Sequence, residues 1–168
     1  MTDDAVAVDL AAMARDVLDG IRFMVLGTID DDGRARTSPV YFVPHQYDAL
    51  YWVSDPRSHH SHNLARDNRL SAVIFDSTVT PGPDARAVYV TGTAEEIPPG
   101  ELVRHLPHAF NPDRGAPAFT TEELAGDADR RLWVMHVDTW EVHIRGSDPT
   151  LGTGTDRRLP VALKHVDK

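Results

Sequence analysis

Ser54-Asp55-Pro56-Arg57-Ser58-His59-His60-Ser61-His62-Asn63-Leu64 decides how this chain is read. It follows the apolar run Ala49 to Val53, so a strand ends and a short helix begins inside it. Ser58 is a helix N-cap, and the backbone N–H groups after it are free at the first turn. Arg57, His59 and His60 place donors or positive charge beside them, which makes the junction a candidate phosphate site.

Working outward toward the N-terminus, Phe23 to Ile29 is dense in apolar residues and Asp30-Asp31-Asp32-Gly33 is a turn. Arg36 to Val43 then alternates as a second strand, so the stretch predicts a hairpin in which Gly33 supplies a positive φ. Pro39 inside the second strand implies an edge, a bulge or a ligand-facing position, since proline cannot donate to a ladder. His45 to Asp48 is a further turn. Before the hairpin, Val6, Leu10, Met13, Ala14 and Val17 recur at helical spacing, predicting a helix over 5–18 that stops near Gly20, with Asp3 and Asp4 at its positive end.

Toward the C-terminus, Leu70 to Phe75 and Ala87 to Ala94 read as strands separated by the loop Pro81-Gly82-Pro83. Gly92 suits a bulge or a close approach. Glu101 to His108 and Glu122 to Arg130 read as helices around an irregular stretch from Asn111 to Phe119. Leu132 to Val137 and Trp140 to Ile144 return to strand character. Hairpin-length loops and alternation predict a mainly β, α+β fold with an antiparallel sheet closed into a barrel. One domain is expected over 1–168, with an N-terminal helix at 1–20, a helical and irregular insertion at 97–130 and a tail at 147–168.

The formal charge of −9 argues against nucleic acid or an anionic membrane as partner. The absence of cysteine excludes thiolate chemistry, disulfides and cysteine-bearing metal sites. Lys164 and Lys168 are the only lysines, which disfavours a Schiff base or a lysine-bearing phosphate loop. No apolar run is long enough to span a bilayer and no leader pattern is visible, so a soluble, cytoplasmic protein is expected.

Four pieces of the chain together resemble the flavin-binding split-barrel family that includes pyridoxamine 5′-phosphate oxidase. They are Thr28 to Val40, Tyr51 to Ser54 with Ser58-His59-His60, Asn63-Leu64 with Asp67 to Ser71, and Arg86 to Gly92. The resemblance implies an antiparallel split β-barrel that binds FMN, usually as a homodimer with the cofactor groove between subunits. Departures are visible: Ser38, Val40 and Val43 stand where the authentic oxidase has R-x-V-L-L-K, and His59-His60 replaces its Arg-Lys. The chain therefore looks like an oxidase-like member and not the authentic oxidase.

On this reading the phosphate falls to Ser58, His59 and His60, with Arg36 and Arg57 as candidate cations, and Ser54 and Asn63 are counted among the cofactor-binding residues. Ser38, Pro39 and Val40 line the flavin; Trp52, Trp133 and Trp140 could stack on its ring or serve as core, and Trp140 is the one selected as a cofactor contact. His59 and His62, three apart, share one helix face with His60 beside them, but no carboxylate or cysteine falls at a recognised metal spacing around them, so no metal site is assigned. No nucleophile-elbow pattern supports a serine hydrolase. The expected function is an FMN-dependent oxidoreductase acting on a small molecule, with no side chain nominated as catalytic. Alternatives are a deazaflavin-dependent reductase, which would draw on Arg34, Arg36, Arg57 and Arg66, and a non-catalytic flavin- or haem-binding protein. The irregular segment from His105 to Phe119 is expected to shape or cover the substrate space.

Overall fold

The computed structural model describes residues 8–80, 82, 85–115 and 117–163. Its order is α1 (Leu10–Gly20), β1 (Phe23–Ile29), β2 (Ala35–Tyr41), β3 (Val43–His45), β4 (Ala49–Ser54), α2 (His59–Arg66), β5 (Arg69–Phe75), β6 (Ala87–Glu96), α3 (Leu102–Ala109), β7 (Arg131–Ile144) and β8 (Arg157–Val161). The strands form one antiparallel sheet in the order β2-β1-β5-β6-β7-β4-β3, with β8 added on β7. β2 runs into β3 through the single residue Phe42, so the two ends of this path are tied together by the chain and the sheet must curl. The expected antiparallel barrel is thus present in split form, with β2 and β4 adjacent but not paired.

The hairpin forms as expected. Gly33 takes a φ of 79°, its N–H donates to the Asp30 carbonyl at 2.9 Å, and Pro39 lies opposite Val25 on β2, an edge strand of the sheet. Gly92 marks a register shift between β6 and β7. A Cβ there would lie 2.1 Å from the His136 carbonyl oxygen, so only glycine lets the strands approach.

Several elements differ from expectation. The first helix begins at Leu10 because the Asp9 carboxylate accepts the Ala12 N–H at 2.9 Å; residues 1–7, with Asp3, Asp4 and Val6, lie outside the described residues. β2 stops at Tyr41, and the rest of the expected strand becomes β3, which pairs with β4. Glu122 to Arg130 is not a helix: only a 3-10 turn forms at Glu122–Leu124, and Gly126 follows with a φ of 59°. The two expected C-terminal strands are one, because β6 pairs along most of β7 while β4 and β8 share its other edge. The tail contributes β8, which sequence alternation did not reveal since Pro160 interrupts it.

β4 is buried on both faces, which explains its continuous apolar run. Leu50 and Trp52 join the barrel core with Met24, Leu26, Met135 and the α1 residues Ala14 and Leu18. Ala49 and Tyr51 face the other way, into a second core with Leu102, Leu124, Leu132 and Val134 beneath the segment that follows β6. β4 therefore delivers Ser54 to a point between the barrel and this covering layer.

Candidate functional site

The corner after β4 is closed by local bonds. The Ser58 N–H donates to the Asp55 carbonyl at 3.0 Å, and the Asp55 carboxylate accepts the Arg57 N–H at 2.8 Å. Ser58 caps α2, accepting the Ser61 N–H at 3.4 Å. Helix geometry leaves the N–H groups of His59 and His60 without an intrahelical acceptor.

A count of hydrogens assigns the next set of bonds. Ser61 Oγ donates to the Asp55 carbonyl at 2.9 Å, and Ser58 Oγ donates to Ser61 Oγ at 2.9 Å. Each hydroxyl carries one hydrogen, so Ser58 has none left for His60 Nε2, 3.2 Å away. Placing the hydrogen on Nε2 lets the ring serve both Ser58 Oγ and Ser54 Oγ, the latter at 2.8 Å; with it on Nδ1, Nε2 accepts from Ser54 instead. In the Nε2–H tautomer the hydrogen of Ser54 is left unspent. Burial of the ring, with a smaller contribution from neighbouring His59, lowers the His60 pKa and favours this neutral imidazole.

The cations of the region are differently placed. Arg57 reaches Asp55 through Nε at 3.0 Å and Nη2 at 2.7 Å, and Asp129 through Nη2 at 2.9 Å. Those bonds hold the Asp55 carboxyl down at about 2. Arg36 donates to Asp30 at 2.6 Å. Asn63 is buried and donates to Thr28 Oγ1 at 3.0 Å and Asp30 Oδ1 at 2.7 Å, tying α2 to the hairpin. The bond from Asn63 and then that from Arg36 lower the Asp30 pKa.

The structure thus gathers Ser54, Ser58 and His60 into one bonded group, with His59 exposed beside them. Arg57 borders this group but spends its guanidinium on two acids, while Arg36 and Asn63 form a separate cluster on the hairpin. On β2, Val40 is buried in the barrel core, Ser38 is half-buried and Pro39 is exposed. Trp140 lies in the core, donating its indole N–H to the Tyr47 carbonyl at 2.8 Å. Its strand separates it from Arg131, the partner of Ser54, by about 30 Å of path.

Ser54 and Arg57 also border a cavity of about 650 Å³ between β4 and the covering segment. Tyr41, Tyr51, Val53, Phe110 and Phe119 contribute to its walls. Ala109, Phe110, Gly115, Pro117 and Phe119 are thereby brought over this space. Sequence reasoning missed Asp129, which closes on Arg57, and Arg114, which anchors the cover. Arg114 is buried and donates to the carbonyls of Leu18, Asp19, Ile21 and Phe42 at 3.1, 3.1, 2.6 and 3.3 Å. No local pattern signals either role.

Tested against a flavin phosphate, this corner offers neutral donors: the unspent Ser54 hydroxyl, two helix N–H groups and the positive end of α2. That set fits an anion without a free cation.

The sequence profile of the family described as pyridoxamine 5′-phosphate oxidase matches residues 10–144. No curated protein matches the chain. Among solved structures, the haem-binding protein of Mycobacterium smegmatis is 21% identical with a TM-score of 0.66, over 93% of this chain and 60% of that one. This chain thus spans less than two thirds of that relative's length. An FAD-binding protein of Mesorhizobium loti is 18% identical with a TM-score of 0.59, over 80% and 94% of the two chains. The haem storage protein of Vibrio cholerae is 15% identical with a TM-score of 0.55, over 78% and 92%. These likenesses establish the fold.

Proposed function

This chain belongs to the pyridoxamine 5′-phosphate oxidase family, and from that premise we propose that it is an FMN-dependent oxidoreductase acting on a small molecule. The observation that carries the reading is the set of unspent donors at the start of α2, beside the open seam between β2 and β4. Ser54, Ser58, His59 and His60 would hold the phosphate, and Ser38 and Pro39 on the free edge of β2 would border the rest of the cofactor. When bound, FMN supplies the electron or hydride transfer. The chain's own part is to orient the cofactor, keep a hydrogen on Ser54 through His60, and exclude water with the covering segment.

A cytoplasmic homodimer goes with this proposal. Phe23, Ile29 and Phe75 are large apolar residues exposed at 59%, 48% and 43% on β1 and β5, next to the β2 edge. A second copy seated there would cover them and close the groove. Among the described residues no helix is long and apolar enough to cross a membrane. A deazaflavin with a longer acidic tail is less well served, since Arg34, Arg36, Arg57 and Arg66 each pair with an aspartate.

The test is the visible spectrum of the purified protein, followed by titration with FMN, a deazaflavin and haemin. Flavin bands and near-stoichiometric FMN binding are expected; a Soret band with no affinity for FMN would overturn the reading. Ser54→Ala deletes the unspent donor and should weaken FMN binding by about tenfold, the scale of a hydrogen bond to a charged group.

A further inference from the structure

The cavity beside Ser54 is built unlike the phosphate corner. It has the volume of a small-molecule site, about 650 Å³, and its walls are mainly apolar and aromatic. Its two phenols are already committed. Tyr41 Oη donates to the Arg114 carbonyl at 3.1 Å, and Tyr51 Oη shares a hydrogen bond of 2.9 Å with His105 Nδ1. What these residues present to the cavity is ring surface. Phe110 and Phe119 pack together at 5.7 Å, extending that surface on the covering side.

Three of the four charges around the cavity are closed among themselves. Asp55 and Asp129 both bond to Arg57, and the Arg130 guanidinium lies 5.3 Å from the Phe119 ring centroid. Two acids and two bases border the space, so it has no net sign with which to attract an ion. An ion entering would surrender water, and apart from Arg130 and the Ser54 hydroxyl at the edge it would meet only partners that must first leave one another. A flat apolar molecule would lose nothing comparable and would gain ring contacts.

We infer that this cavity binds a flat, uncharged, apolar small molecule, and that such molecules are the substrate class of the protein. The substrate role rests on the flavin reading above; the binding does not. The family's phosphorylated namesake substrate is thereby disfavoured by the walls themselves.

Three probes of one shape separate the outcomes: 2-naphthamide, which is neutral, 2-naphthoate, an anion, and 2-naphthylmethylamine, a cation. Their affinities for the full chain are measured by calorimetry without FMN, and FMN is titrated separately. The amide should bind at least about tenfold more tightly than either ion, since the ions must be desolvated without a partner. Phe119→Ala, which removes a wall, and Val53→Phe, which fills the space, should each weaken amide binding by about tenfold while leaving FMN affinity unchanged. Using both keeps the test open should one variant fail to fold. An ion that binds as tightly as the amide, no binding of the amide, or folded variants with unaltered amide affinity would overturn the inference. Amide binding without FMN binding would uphold the cavity assignment and sink the flavin reading instead.

Discussion

The turn from Ser54 to Ser61 and the covering segment between β6 and β7 are held largely by different kinds of bond. In the corner, Ser58 bonds to Ser61, Ser54 to His60 and Arg57 to Asp55, all close neighbours in the chain. In the cover, Arg114 reaches back to Leu18, Asp19, Ile21 and Phe42, and His105 reaches Tyr51. The corner's local bonds leave one hydroxyl hydrogen and two helix N–H groups unspent, so it suits a polar group. Beneath the cover the phenols of Tyr41 and Tyr51 are satisfied and Arg57 closes both acids, so that space suits an apolar one. Two neighbouring sites thus differ in chemistry because their hydrogen bonds are spent differently.

The cover depends most heavily on Arg114. Its guanidinium satisfies three carbonyls at the C-terminal end of α1 and that of Phe42, and it stacks over the Phe42 ring at 5.1 Å. Arg114→Ala leaves those carbonyls without their donor and should cost roughly 3 kcal/mol or more, measured by urea unfolding. Arg114→Lys should recover only part of this, since an ammonium cannot reproduce the planar fork. A loss below about 1 kcal/mol in the alanine variant would show that the apolar contacts of Leu102 and Leu124 hold the cover unaided.

The same contrast explains what could be read in advance. The hairpin, the Ser58 cap and the Gly92 bulge were legible because each depends on residue types at short spacing: a glycine in a turn, a serine before a helix, a missing Cβ where strands crowd. The grouping of Ser54 with His60 follows from the strand-to-helix junction. Arg114 and Asp129 were not legible, since neither an arginine held by carbonyls nor an aspartate across a fold leaves a local pattern. Trp140 shows the converse problem. An indole in a strand reads equally as a stacking surface or as core, and only the path of β7 places it in the barrel. β7 itself was divided at Asp138 and Thr139, where polarity interrupts the pattern but the ladder to β6 resumes across the bulge.

Asn63 tests the corner's tie to the hairpin. Asn63→Ala removes donors from buried Thr28 and from Asp30, and should cost about 2 kcal/mol in denaturant unfolding. It also changes the acid limb. Asp30 has its folded pKa lowered by the bonds from Asn63 and Arg36, so its contribution is full above the ordinary aspartate value and is lost as pH falls through the depressed folded value. The variant should therefore lose less stability than the parent on acidification over that range. Parallel acid limbs would show that Arg36 alone sets the Asp30 pKa.

His60 makes the corner sensitive to pH. Burial lowers its folded pKa below the unfolded value, so the unfolded chain takes up a proton first. Stability is therefore full above about 6.5, the ordinary histidine value, and declines as pH falls from there toward the lowered folded pKa. His60→Gln should flatten that decline. A bound phosphate opposes the shift by favouring imidazolium, so FMN affinity should rise severalfold between about pH 8 and about pH 5.5 in the parent and change less in the variant. Equal pH profiles for FMN binding would separate His60 from the anion.

Arg57 carries the smallest expected effect and the finest distinction. Its guanidinium is largely exposed, as is the Asp129 carboxylate, so Arg57→Ala should leave the unfolding midpoint at neutral pH unchanged. It should still weaken FMN binding by about threefold at low salt, because Asp55 and Asp129 would then face the phosphate uncompensated. The loss should fade in about 0.5 M salt, and adding Asp129→Asn to the alanine variant should restore part of the affinity. This outcome would make Arg57 a shield for two acids and leave the phosphate to the neutral donors of α2. A large loss that salt and Asp129→Asn leave untouched would instead make Arg57 a direct phosphate ligand, turning away from both aspartates when the cofactor binds.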